Sequence, residues 1–260
     1  EIAQCLVGSE MCIRDREYLS LPEQVTLEKY AFYNCTKLNK VLFDGKTAVL
    51  GYQAFRDCTN LQYVVFPEKL TEIPEQCFYN CNQLASLSLP ASVKTIGNSA
   101  FDYCRSLKTI QLPDGITLGA WAFSSCSALS AVTFDGRCEA IGEGCFYGSA
   151  LTKCTIPDGV KSIENRCFEE CRSLETIQFD GKPEKIGSRA FFRCYALKEI
   201  HLPDGVTSVG THAFFECKAL TTVSIPDSVT EMGGGCFVSC MALTNLTLSK
   251  NIKSLPYEEY

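Results

Sequence analysis

The chain has 260 residues, of which 46% are hydrophobic and 21% are charged, so it carries enough apolar material to bury a core. Its formal net charge is −6 and its lysines and arginines form no cluster, which argues against a nucleic-acid-binding protein. No apolar run is long enough to span a bilayer, which argues against a membrane-spanning segment.

The first sixteen residues stand apart from the pattern that follows them. Residues 11–16 read Met-Cys-Ile-Arg-Asp-Arg, which resembles the translation of a transposon-end adapter used in sequencing libraries. We therefore expect residues 1–16 to be a non-native, adapter-derived leader, with a native N-terminal segment as the alternative. We expect residues 17–260 to be a single solenoid, truncated at both ends because neither end shows a polar capping unit.

A lattice of phenylalanines runs through the rest of the chain in steps of 22 or 23 residues. Ten of the 16 phenylalanines lie on it: Phe32, Phe55, Phe78, Phe101, Phe123, Phe146, Phe168, Phe191, Phe214 and Phe237. A fixed period of this length is typical of a solenoid in which each repeat is one supersecondary unit.

Each repeat has the same apolar positions around its phenylalanine. A small residue precedes the ring, cysteine follows three residues later in nine repeats, and leucine follows six residues later in nine. The exception is the repeat at Phe146, which is one residue short and places Ser149 and Leu151 at those two positions. We interpret this shorter repeat as a tolerated slip with a local change of twist.

The second half of each repeat alternates apolar and polar residues, which predicts a short strand ended by a turn. The Ala-Phe-x-x-Cys piece spaces its apolar side chains like one short helical turn. Glycine stands four residues before phenylalanine in seven repeats, which indicates either a positive φ or a tight contact between coils.

The pattern I-G-x-x-A-F-x-x-C-x-x-L-x-x-I-x-L-P-x-x-V is seen nearly whole at residues 186–206, and again at 96–112 and 209–225. It resembles the BspA-like (Treponema-pallidum-type) leucine-rich repeat family over residues 19–260. The resemblance implies a leucine-rich-repeat solenoid, mostly β, of about ten coils. It also implies a parallel sheet on the concave face, with short helical or irregular turns on the convex side. Many family members are bacterial cell-surface proteins, some linked to adhesion, which implies a cell-surface or secreted binding module.

The 17 cysteines are the first candidates for chemistry. Thirteen occupy two repeat positions, and Cys138 and Cys154 fill apolar slots, so we expect a reduced structural ladder of buried thiols. Disulfides between adjacent coils are the main alternative. We expect no metal site, because zinc needs more closely spaced ligands, and no Cys–His nucleophile, because each cysteine has repeat copies.

The outward side of the predicted sheet is the expected binding surface. It consists of the positions eight and ten residues after each phenylalanine. The candidate partner-binding residues are Leu42, Tyr63, Val65, Thr109, Gln111, Thr176, Gln178, Glu199 and His201. The apolar group of Leu42, Tyr63 and Val65 marks either a partner site or a surface that packs on a further N-terminal domain.

A column of turn acids is a second candidate: Asp44, Asp114, Asp135, Asp158, Asp180, Asp204 and Asp227. We expect it to be a solvated rim, because calcium loops place several oxygens within one loop.

We therefore predict a non-enzymatic repeat module that binds a protein or glycan, with no cofactor and no nucleic-acid partner. One alternative is a structural stalk that holds another domain away from the cell. The other is the targeting arm of an enzyme whose catalytic domain lies outside these residues.

Overall fold

A computed structural model describes residues 15–46 and 48–256. The expected leader, residues 1–16, lies outside this description except for its last two residues. The described chain is a parallel β-solenoid of about ten turns, and none of its residues lies in an α-helix.

The described coils supply strands at two places, except that the coil of Phe78 supplies only one, and twenty strands result. In chain order they are β1 (Tyr18–Leu21), β2 (Val25–Thr26), β3 (Lys40–Phe43), β4 (Ala48–Val49), β5 (Tyr63–Val65), β6 (Glu72–Ile73), β7 (Thr95–Ile96), β8 (Thr109–Leu112), β9 (Ile116–Leu118), β10 (Ala131–Phe134), β11 (Cys138–Ile141), β12 (Lys153–Ile156), β13 (Ser162–Ile163), β14 (Thr176–Phe179), β15 (Lys185–Ile186), β16 (Glu199–His201), β17 (Ser208–Val209), β18 (Thr222–Ser224), β19 (Glu231–Met232) and β20 (Asn245–Thr247).

The strands that follow each phenylalanine by eight residues, together with β1, form what we call the long-strand sheet. They pair in parallel in four groups: β1-β3-β5, β8-β10, β12-β14 and β16-β18-β20. Tyr18 lies opposite Lys40, and Lys153 lies opposite Thr176, so one sequence repeat is one coil. The predicted parallel sheet is therefore confirmed. The ladder is not continuous between these four groups, and one of the breaks falls at residues 86–88, where the repeat pattern predicts a strand and the backbone forms none.

The other ten strands form a second parallel surface, the short-strand sheet. Eight of them end on a buried apolar residue five positions before the lattice phenylalanine, such as Ile163, Ile186 and Val209, and in the first two coils that residue, Leu27 or Leu50, directly follows its strand. The core lies between the two sheets and the turns.

The ten lattice phenylalanines stack on one another from Phe32 to Phe237. Successive ring centroids lie between 5.2 and 5.9 Å apart, and successive ring planes differ by at most 20°. Eight of the rings, Phe55 through Phe214 on the lattice, are fully buried. Burial of each such ring contributes about 1.5–3 kcal/mol before the entropy cost. A single repeat cannot bury its own ring, so stacking of coils supplies the core.

The turns around each phenylalanine are irregular, and the expected helical turn is absent from the described residues. Two residues in every coil adopt a left-handed backbone, one two positions before the phenylalanine and one two positions after it. In the second coil these are Gln53, with φ of 54°, and Asp57, with φ of 60°. A right-handed helix cannot pass through such residues, so the backbone turns twice instead.

The recurring glycine four positions before phenylalanine is explained by close approach of coils. A Cβ atom at Gly187 would lie 2.5 Å from the backbone nitrogen of Asn165, and one at Gly51 would lie 2.5 Å from the carbonyl carbon of Glu28. None of these seven glycines has a positive φ. Of the two explanations expected from sequence, tight contact is confirmed and the positive φ is wrong.

Candidate binding surface

The nine candidate residues lie on the outward side of the long-strand sheet, which we call the long-strand face. In strands such as β8 and β16, outer residues are exposed and the residues between them are buried. Pleating of the backbone gives this alternation, because successive side chains point to opposite sides of a strand. Eight of the nine candidates are exposed, and Leu42 is half-buried.

The N-terminal part of the face is an amphipathic patch. Tyr63 is 57% exposed and Val65 is 53% exposed, and Leu42 lies beside Val65 in the parallel register. Tyr18, which is 48% exposed, lies in the same row as Tyr63 but two coils earlier, with Lys40 between them, and it extends this patch. The repeat pattern did not predict Tyr18. The outward positions are defined by their distance from a preceding lattice phenylalanine, and no lattice phenylalanine precedes Tyr18. The ammonium of Lys40 lies 5.8 Å from the Tyr18 ring centroid.

The C-terminal candidates line a hollow of about 540 Å³. Thr176 and Gln178 come from one coil, and Glu199 and His201 come from the next. The His201 Nε2 atom lies 3.6 Å from a Glu199 carboxylate oxygen, so the two form an ion pair when the imidazole is protonated. Asp180, a residue of the turn-acid column, completes this wall.

Two smaller hollows continue the line toward the N-terminus. One, of about 390 Å³, lies between the coils of Phe123 and Phe168, and the other, of about 220 Å³, contains Gln111. The amide of Gln111 donates a hydrogen bond of 2.6 Å to Asp135. Thr109 is exposed on the neighbouring row but does not line the hollow. The nine candidates therefore share one face, and they divide into an end patch, a central pair and a C-terminal hollow.

No disulfide joins any two of the fifteen described cysteines; Cys5 and Cys12 lie outside the described residues. Eight of those that follow a phenylalanine by three residues donate a hydrogen bond to the phenylalanine carbonyl of the previous coil, with Sγ–O distances of 3.0–3.3 Å. Burial raises the pKa of the Cys154 and Cys171 thiols to about 12, which opposes thiolate formation. In the short repeat, Ser149 takes the cysteine place and its hydroxyl lies 3.2 Å from the Cys171 sulfur.

All seven acids of the turn column are exposed, so the expected solvated rim is confirmed. Asp227 forms an ion pair of 2.8 Å with Lys250, and Asp114 accepts the backbone N–H of Arg137 at 2.7 Å. Within the part of the chain that the structure describes, no three His, Cys, Asp or Glu side chains form a group suited to a metal ion. Over residues 15–46 and 48–256, no helix has the length and apolarity that a membrane crossing requires.

Several solved structures are similar to this chain. A leucine-rich repeat protein of T. pallidum is 29% identical with a TM-score of 0.53, and the match covers 73% of this chain and 79% of that one. The pneumococcal vaccine antigen PcpA is 20% identical with a TM-score of 0.54, over 92% of this chain and 64% of that one. A leucine rich cell surface protein of Faecalibacterium prausnitzii is 22% identical with a TM-score of 0.47, over 95% and 89%.

A comparison with curated proteins found no match. The family model described as a BspA type leucine rich repeat region of six copies matches residues 25–150, 116–204 and 139–260. These matches together span residues 25–260, which is far more than half of the sequence. The chain therefore belongs to the BspA-type leucine-rich repeat family.

Proposed function

We propose that this chain is a non-enzymatic binding module that holds a protein or glycan partner on its long-strand face. The observation that carries the proposal is the composition of that face, where exposed tyrosine, valine and hydrogen-bonding side chains project on one side of the solenoid. Tyr63 and Val65 supply apolar area at one end, and Gln178 and His201 supply donors and acceptors at the other.

The rigidity of the sheet supports this role. Each strand is fixed by parallel hydrogen bonds to its neighbours and by the stacked rings beneath it. Side chains that are held before binding lose less conformational entropy when a partner arrives. Tyrosines in particular give large contact area at low entropic cost, and they bind both proteins and sugars through a polar hydroxyl and an apolar ring.

A non-enzymatic role is supported by the family, whose repeats are generally non-catalytic. The chemistry of the thiols agrees with this, because burial raises their pKa and removes the thiolate that a cysteine nucleophile requires. The family resemblance also supports a location at the cell surface or outside the cell.

The test begins with a ligand screen, on a glycan array and on a displayed random peptide library. Two triple variants are then compared for the ligand obtained: Leu42→Ala with Tyr63→Ala and Val65→Ala, and Thr176→Ala with Gln178→Ala and His201→Ala. The matched control is Thr117→Ala with Lys185→Ala and Glu231→Ala on the short-strand sheet. We expect at least one face variant to lose tenfold or more in affinity while the control changes less than twofold. Unchanged binding by both face variants would overturn the proposal.

A further inference from the structure

We propose that the three hollows of the long-strand face form one trough for an extended peptide in polyproline II conformation that carries lysine or arginine at every third residue. This inference rests on the proposed function of the face, and it names the chemistry of the partner.

The hollows are continuous because they share wall residues. Asp135 belongs to the walls of both the 220 Å³ and the 390 Å³ hollow, and Asp180 belongs to the walls of both the 390 Å³ and the 540 Å³ hollow. The trough crosses the coils from Phe78 to Phe191. At about 4.8 Å per coil, its length is about 24 Å, which matches seven or eight residues of extended chain.

The charge of the trough favours a cationic occupant. None of the described residues that line the three hollows is a lysine or an arginine. Among the described residues, the Asp135 carboxylate accepts a side-chain hydrogen bond only from the neutral amide of Gln111, and Asp180 has no ion pair. Glu199 adds a third carboxylate in the C-terminal hollow, where its partner is the imidazole of His201.

Other acids of the same turn column already have basic partners. Asp158 lies 3.6 Å from the Arg137 guanidinium, and Asp227 lies 2.8 Å from the Lys250 ammonium. The two acids inside the trough thus differ from these neighbours in keeping their negative charge available to a second molecule.

An aromatic ring accompanies each of these two acids. Phe134 precedes Asp135 and Phe179 precedes Asp180, and both rings are only partly buried at the trough. A carboxylate beside an accessible ring suits a lysine or arginine side chain, whose stem packs on the apolar surface while its charge pairs with the acid. The same Phe-Asp-Gly sequence occurs at Phe43, but that ring is buried.

The spacing of the two subsites selects the backbone conformation of the peptide. Phe134–Asp135 and Phe179–Asp180 are two coils apart, which is about 9.6 Å. In a polyproline II helix, residues i and i+3 project on the same side about 9.3 Å apart, whereas a β-strand turns them to opposite sides. Aromatic-lined grooves are a known way of holding this conformation.

The experiment measures binding of a fluorescent peptide of four Pro-Pro-Lys repeats to the 260-residue chain by fluorescence anisotropy at low salt. A Pro-Pro-Glu peptide tests charge, and a Gly-Ser-Lys peptide tests conformation at the same lysine spacing. The variant Asp135→Asn with Asp180→Asn keeps the shape of both walls. The variant Asp44→Asn with Asp227→Asn makes the same change in net charge elsewhere in the acid column.

We expect the Pro-Pro-Lys peptide to bind the unchanged chain, to bind the trough variant at least tenfold more weakly, and to bind the control variant within twofold of the unchanged chain. Added salt should weaken binding, because it screens exposed charges. The glutamate peptide should not bind, and the Gly-Ser-Lys peptide should bind more weakly.

Equal losses in the two variants would show attraction to net charge alone and would overturn the proposal, as would failure of the Pro-Pro-Lys peptide to bind. If that peptide fails while a ligand from the screen still requires Thr176, Gln178 and His201, the cationic occupant is wrong and the function of the face stands. If neither ligand depends on the face, both proposals fail.

Discussion

At the scale of single residues, backbone conformation is set by the coil rather than by residue identity. The left-handed positions before and after each phenylalanine hold residues as different as Trp121, Arg166 and His212. A left-handed conformation costs a non-glycine residue about 1–2 kcal/mol, so the stacked coil must offset it repeatedly. These positions could not be read from the sequence, because no residue type marks them.

The glycine four positions before the lattice phenylalanine should be essential to the stability of the fold, because neighbouring coils touch there. Gly187→Ala should destabilise the fold by about 1–3 kcal/mol, because its Cβ would press on the backbone of Asn165. The matched control is Gly148→Asn. Gly148 has a φ of 63°, which asparagine tolerates, and the nearest atom to its Cβ would be 4.0 Å away.

Urea unfolding measures both variants. We expect the midpoint to fall clearly for Gly187→Ala and to change little for Gly148→Asn. Equal midpoints for the two variants would contradict the explanation by close contact.

Asp102 should make stability depend on pH in the sense opposite to most carboxylates. Its side chain is buried, and one carboxylate oxygen has no hydrogen-bond partner among the described residues. Burial raises its pKa to about 6, and hydrogen bonds from the Ser124 hydroxyl and the Tyr103 backbone only partly offset that effect. The folded state therefore holds this proton more tightly than the unfolded state does.

The sign follows from linkage: the contribution of Asp102 to stability is present near pH 4 and is lost as the pH rises through about 6. Relative to the unchanged chain, Asp102→Asn should gain stability between pH 4 and pH 7, by about 1–2 kcal/mol because solvent partly screens the carboxylate. Unfolding by urea at both pH values measures the difference, with the exposed Asp204→Asn as control. Parallel pH profiles for the unchanged chain and Asp102→Asn would contradict the prediction.

At the scale of the coil, the sequence period predicted the structure well. The phenylalanine lattice, the aliphatic positions and the cysteine and leucine positions lie in the core as expected, except that Phe237, Cys240 and Leu243 of the last repeat are only partly buried. The segment at residues 86–88 shows where the period is insufficient. It has the polar and apolar alternation of a strand, yet it makes no ladder, so the alternation within one repeat does not by itself decide pairing with a neighbouring coil.

The stacking predicts that loss of a phenylalanine ring destabilises the fold more at the centre of the solenoid than at its end. Phe168→Ala should cost about 3–5 kcal/mol, because that ring is fully buried and is stacked on both faces. Phe237→Ala should cost less, because its ring is partly exposed and, among the described residues, stacks on Phe214 alone. The urea midpoints of the two variants test this, and an equal fall for both would contradict the central role of the ladder.

At the scale of the whole molecule, the sequence predicted that the nine candidate residues share one face but not how they group on it. The two rows follow from the strand period, so Tyr63, Gln178 and His201 lie outward as expected. The hollows could not be predicted, because Asp135 and Asp180 reach them from turns and each wall is built from different coils.

Side-chain footprinting with hydroxyl radicals, with and without the ligand from the screen, tests most directly whether a partner binds the long-strand face. The reporters on the face are Tyr63 and His201, and the reporters elsewhere are the exposed Tyr30 and Met241. We predict that the ligand protects Tyr63 or His201 from oxidation and leaves Tyr30 and Met241 unchanged. Protection confined to Tyr30 or Met241 would contradict the account, because the partner would then bind away from the long-strand face.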